Sequence, residues 1–210
     1  MKLKEPLAGS IHFIGAILSI PALVCLIVSA HDSTWKIVSF SIYGATMFFL
    51  FFFGALYHWL PQAAGGKYQI FRKLDHLAIY FLIAGTYTPF CLNTLRGGWG
   101  WTIFGIVWAM ALIGVSFQAF YIDVPRYFTT TIYIVMGWIV IVAIKPLIDA
   151  LPLGGILWLI AGGVIYSIGG VIYTVKKPNL FKAFGYHELW HTMVLAAAAC
   201  HYIAVLLYVA

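Results

Sequence analysis

Residues 36–59 read KIVSFSIYGATMFFLFFFGALYHW, an apolar run whose only lysine, arginine, aspartate or glutamate is Lys36 at its start. A helix needs about 20 apolar residues to cross the roughly 30 Å hydrocarbon layer of a bilayer. The apolar residues here are continuous rather than alternating, which excludes a strand of a transmembrane barrel. The stretch therefore predicts a membrane-spanning α-helix.

The rest of the chain has the same character. Of its 210 residues, 63% are hydrophobic and 9% are charged, against about 45–50% and about 25% in soluble globular domains. A water-soluble fold of this length cannot bury so much apolar surface. Polar and turn-forming breaks separate seven apolar segments, at about 7–30, 36–59, 74–95, 99–121, 126–144, 152–175 and 186–209. We therefore predict an all-α integral membrane protein, a single domain of seven transmembrane helices over residues 1–210.

Lysine and arginine in the loops predict the orientation, because cytoplasmic loops are enriched in these residues. Nine lie on the side of the N-terminus: Lys2, Lys4, Lys67, Arg72, Lys73, Arg126, Lys176, Lys177 and Lys182. Three lie on the other side: Lys36, Arg96 and Lys145. The N-terminus is predicted to be cytoplasmic. The net charge of +6 is thus a topology signal, and we expect membrane lipids as partners and no nucleic acid.

Ionisable side chains gather at the predicted cytoplasmic side of this otherwise apolar chain. Such groups at membrane depth are costly, and they are usually paired or functional. They lie at the ends of four segments: Glu5, His12, His58, Asp75, His76, His187, Glu188 and His191. Because they occupy one side of the membrane, they predict one shared site.

The most specific local element of that site is His187-Glu188-Leu189-Trp190-His191. Two histidines at i and i+4 lie about 6 Å apart on one helix face, which suits one tetrahedral Zn²⁺. His58 is the best third ligand, and Asp75 can bind the ion or hold its water or a histidine. Three protein ligands with an open position are typical of a catalytic zinc site.

The other ionisable residues of the group receive lesser roles. His12, His76, Glu5 and Glu188 are candidates for the residues around the ligands, and the roles of His12 and His76 are left open. His201 lies about 15–20 Å further along its helix and is not expected to be a ligand. Structural alternatives remain: an interhelical hydrogen bond for the histidine pair, and an ion pair with Arg72 or Lys73 for Asp75.

The same five residues match HExxH, the helix signature of zinc metalloproteases in which the glutamate is the general base. Intramembrane metalloproteases carry this motif within the bilayer. They also use an aspartate from a later helix, whereas here the motif lies in the last predicted helix. An intramembrane protease is therefore a secondary alternative.

A family resemblance runs the whole length of the chain. The matching segments are GALYH at 54–58, DHLAIY at 75–80, LIAGTYTP at 82–89 and FGYHELWH at 184–191. They resemble the hemolysin III family, the bacterial branch of the progestin and adipoQ receptor group, and Glu5 followed by His12 resembles its N-terminal pattern. The resemblance implies seven helices with the N-terminus inside and a bacterial plasma-membrane location.

The resemblance also implies a chemistry. In the group, a buried Zn²⁺ is held by histidines that correspond to His58, His187 and His191, and a carboxylate corresponding to Asp75 contacts the water on the ion. The group is related to alkaline ceramidases, and some members are proposed to hydrolyse lipid amides. The leading hypothesis is a zinc-dependent hydrolase of a lipid amide or ester with an acyl chain, acting in membrane lipid homeostasis.

One departure from the related pattern bears on this hypothesis. The pattern has a serine four residues before the first histidine, and this chain has Gly54 there, which removes a hydroxyl beside the ion. A non-enzymatic sensor or receptor with a structural zinc is the main alternative. The family name suggests cytolysis by pore formation, but no helix shows a long polar stripe. The oligomeric state is left open.

Overall fold

The part of the chain that the structure describes contains seven helical spans that are long and apolar enough to cross a membrane, by length and composition. The computed structural model describes residues 3–30, 33–121, 124–181 and 184–210, and over these ranges it contains helices and turns but no β-sheet. The all-α, seven-helix prediction is confirmed. Lys2 and Lys182, two of the charges behind the predicted orientation, lie outside the described residues.

The spans contain eight α-helices, because the fifth span is interrupted. They are α1 (Pro6–Ser29), α2 (Thr34–Trp59), α3 (Gly66–Pro89, continued by a π-helical segment at Phe90–Leu95), α4 (Gly97–Phe120), α5 (Arg126–Trp138), α6 (Ile144–Ala150), α7 (Leu153–Val175) and α8 (Tyr186–Tyr208).

Helix α3 begins at Gly66 rather than near residue 74. The chain turns at Gly65, whose φ of 58° lies in the left-handed region that glycine adopts without a Cβ penalty. The following residues, including Gln69 and Arg72, are polar but favour helix. The sequence prediction therefore located the start of this helix too late, because it relied on apolar residues alone.

The fifth span was expected to end near residue 144, but it continues to Ala150 through a 3₁₀ segment at Ile139–Ala143. Such a break frees backbone groups that need partners in a membrane. The Tyr87 hydroxyl of α3 supplies them, since it donates to the Gly137 carbonyl at 2.7 Å and accepts from the Val140 N–H at 3.0 Å. One side chain thus joins α3 to the interrupted span.

The helices surround a partly open cavity. Helix α1 packs against α2 and α8, α2 against α3, α7 against α8, and α5 against α3 and α7. The cavity has a volume of about 740 Å³ and extends from Glu5 and His58 at one end to Leu147 and Ile156 at the other. Large apolar side chains such as Val28 and Ile113 are exposed on the outside, as expected for surfaces that face lipid.

Candidate metal centre

His58, in the last turn of α2, is held from outside the helix by the N-terminal segment. The Glu5 backbone N–H donates to the His58 carbonyl at 3.0 Å, and the Glu5 carboxylate accepts from His58 Nδ1 at 2.6 Å. The opposite nitrogen, His58 Nε2, is buried and has no hydrogen-bond partner among the described residues. A carboxylate on one ring nitrogen and a bare second nitrogen are typical of a metal-binding histidine.

Helix α8 presents the predicted histidine pair at its first turns. His187 Nε2 and His191 Nε2 are 3.2 Å apart. Two nitrogens that each lie about 2.0–2.1 Å from one tetrahedral zinc are about 3.3 Å apart. The pair therefore has a separation that one ion can bridge with little movement.

Glu188, between these histidines, has a different task. Its carboxylate accepts from the Gly185 N–H at 2.9 Å and thereby caps the start of α8. A carboxylate engaged with its own helix end is a poor general base, so this contact does not favour the protease alternative.

His12 of α1 directly contacts His191, one of the predicted ligands. Its side chain is buried, and its Nε2 lies 2.7 Å from His191 Nδ1. The His12 ring centroid is 4.5 Å from that of His191 and 5.4 Å from that of His58. Spacing along the sequence gives no sign of this contact, because α1 meets α8 only in the folded bundle.

Two sets of three side chains have ligand atoms that all lie within 4.8 Å of one another: His12, His58 and His191, and Glu5, His58 and His187. The buried set of three histidines can hold a metal ion. The predicted ligands are divided between the two sets, with His58 in both. The ring centroids of His58, His187 and His191 are nevertheless only 4.5 to 5.1 Å apart.

Asp75, the tenth residue of α3, is buried and lines the cavity. Its Oδ2 is 3.6 Å from His76 Nδ1. His76 turns toward its own helix, where Nδ1 donates to the Arg72 carbonyl at 2.7 Å. His201 is remote from the cluster, with its Nε2 3.3 Å from the Leu159 carbonyl.

The surroundings of the Glu5 carboxylate lower its pKa. Partial burial raises its pKa, but the hydrogen bond from His58 and the positive charges of His187, His58 and Lys4 outweigh this, and the pKa falls from 4.5 to about 2. A lowered pKa means that the ionised carboxylate stabilises the fold above pH 4.5 and that this contribution is lost as the pH falls toward 2.

We expect Glu5→Gln to destabilise the metal-free protein at neutral pH. The loss should lie near the low end of the roughly 1.5–3 kcal/mol of a hydrogen bond to a charged group, because the Glu5 side chain is still 28% exposed. Thermal unfolding in detergent across pH 7 to 2 measures it. The difference from the wild-type protein should shrink below pH 4.5, and a difference that is constant with pH would contradict the prediction.

Comparisons with known proteins agree with the sequence motifs. The model of the family described as Haemolysin-III related matches residues 1–202. Hemolysin-3 of Bacillus cereus is 44% identical over 98% of this chain and 92% of its own length. A Hemolysin-3 homolog of Bacillus subtilis (strain 168) is 42% identical over 98% and 95%, and the human monocyte to macrophage differentiation factor is 28% identical over 90% and 79%.

These matches cover nearly the whole chain, so the similarity is not confined to one segment of it. Together with the seven apolar spans, the bacterial relatives identify a multi-pass protein of the bacterial plasma membrane. The chain belongs to the Haemolysin-III related family.

Proposed function

We propose that this protein is a zinc-dependent hydrolase of a membrane lipid amide or ester. One observation carries the proposal: the buried histidines border the same cavity whose far end is lined by Leu147, Ile156 and other apolar side chains. Its volume of about 740 Å³ is within the roughly 300–1,000 Å³ typical of ligand pockets. An acyl chain in the apolar part would bring its carbonyl toward the histidines and Asp75.

His58, His187 and His191 would hold the ion. When bound, Zn²⁺ supplies Lewis-acid chemistry, polarising a carbonyl and making water reactive at neutral pH. Asp75 takes the proton from the attacking water, whose oxygen bonds to the carbonyl carbon. As the bond to nitrogen or oxygen breaks, Asp75 returns the proton to the leaving group. The products are a fatty acid and an amine or alcohol, so all atoms balance.

The other residues prepare this step. Glu5 fixes the His58 ring so that Nε2 faces away from the carboxylate, and the apolar end of the cavity excludes water from the acyl chain. Asp75 lines the same cavity as the histidines, and its carboxylate would accept the proton there.

Proteoliposomes with purified protein provide the test, using an N-acylated lipid amide and a lipid ester as substrates. We expect fatty acid release from at least one class, loss of release after chelation, and recovery on adding Zn²⁺. Release that survives complete chelation would contradict a zinc-dependent mechanism. A zinc-loaded protein that releases nothing from either class would favour the alternative below.

That alternative is a non-enzymatic sensor or receptor with a structural zinc. The observation that favours it is His12, a fourth imidazole at the centre, because structural zinc sites have four protein ligands and no open position. The role of His12 therefore distinguishes the two candidates.

A further inference from the structure

The His12 imidazole of α1 packs directly against Gly54 of α2. Gly54 lies one turn before His58, and a Cβ at this position would overlap the His12 imidazole, meeting Nδ1 first. Only glycine allows the ring to approach the α2 backbone so closely. The residue that departs from the related pattern is thus the one that admits His12 to the centre.

The distance between His12 and His191 distinguishes a hydrogen bond from shared coordination. His12 Nε2 and His191 Nδ1 are 2.7 Å apart, which is hydrogen-bond distance and shorter than the roughly 3.3 Å between two nitrogens on one zinc. His191 also has its other nitrogen, Nε2, 3.2 Å from His187 Nε2. One imidazole can offer only one of these nitrogens to a given ion.

We propose that His12 is a positioning residue: it accepts the Nδ1–H of His191 and so leaves His191 Nε2 unprotonated toward His187, and Gly54 provides the space for it. The inference rests on the zinc centre of the proposed function. His12 would then do for His191 what Glu5 does for His58: a partner side chain holds Nδ1, and Nε2 is left free to bind the ion. His12 then occupies no coordination position, and the ion keeps an open one.

The two substitutions that remove this contact should have the same effect. Partners that hold a metal-binding histidine contribute about 10–100-fold to metal affinity, so His12→Ala should weaken Zn²⁺ binding by that factor. Gly54→Ala should do the same, because its methyl group displaces the His12 ring. Since both act through one hydrogen bond, the double variant should be no weaker than His12→Ala alone.

The measurement is Zn²⁺ affinity of the purified full-length protein by competition with a chelator. Gly44→Ala is the matched control: it is in the same helix, and its Cβ would overlap Leu23 instead of a histidine, so packing suffers but zinc affinity should not change. His12→Gln, whose amide oxygen can accept from His191, should recover part of the loss. The visible spectrum of the Co²⁺ form should keep its coordination number in His12→Ala.

Four outcomes would overturn the inference. Equal zinc affinity in the wild type, His12→Ala and Gly54→Ala would show that the contact is irrelevant to the ion. Losses that multiply in the double variant would show that Gly54 does not act through His12. A changed coordination number in His12→Ala would make His12 a ligand. A wild type that binds no zinc would overturn the proposed centre as well, whereas the first three leave that centre standing.

Discussion

His58→Ala will remove the zinc from the purified protein. We expect about one ion per wild-type chain and none in this variant, a larger effect than the roughly 10–100-fold of residues that only support a ligand. His58 is the one residue shared by both possible ligand sets, and its buried Nε2 has no other partner among the described residues. Elemental analysis of detergent-purified protein measures the loss.

His201→Ala is the control for this experiment. His201 is also a histidine of a spanning helix and is half-buried, but its Nε2 faces the Leu159 carbonyl, away from the cluster, so its replacement should leave the zinc content unchanged. His187→Ala separates the two ligand sets, because the set of His12, His58 and His191 does not need it. Zinc unchanged by His58→Ala, or absent from the wild type, would reduce the histidines to a hydrogen-bonded clamp between helices.

The fold was predictable because a membrane imposes one strong constraint. Any run as long and apolar as 36–59 must satisfy its backbone internally, and a helix does so. The errors came where a helix is not defined by apolarity: at Gly66, where polar residues add turns to α3, and at Ile139–Ala143. The second break depends on the Tyr87 hydroxyl, a tertiary contact that no local pattern of residues 126–150 contains.

The centre was predictable only in part, for a related reason. His187 and His191 are neighbours on one helix face, so their spacing indicates a site directly. His12 is brought to His191 by the packing of α1 against α8, and its depth depends on a missing side chain at Gly54. The departure at Gly54 was visible in the sequence as the loss of a hydroxyl. That the missing side chain leaves room for the His12 imidazole can be seen only when α1 lies beside α2 in the structure.

Asp75→Asn should abolish lipid hydrolysis while the zinc stays bound. A positioned general base contributes about 10²–10⁴-fold to a rate, and asparagine keeps the shape of the side chain but cannot take a proton from water. Fatty acid release from the proteoliposomes, measured beside the zinc content, separates this role from a structural one.

The matched control is Asp149→Asn, at the opposite end of the bundle, where the carboxylate pairs with Lys145 on the exposed surface at 2.8 Å. This variant should hydrolyse at the wild-type rate. If Asp75→Asn keeps its zinc and its full activity, proton transfer does not involve Asp75, and another group on the cavity wall must serve. If it loses zinc and activity together, the buried Asp75 carboxylate is a ligand of the ion rather than the general base. Only loss of activity with retained zinc supports Asp75 as the general base.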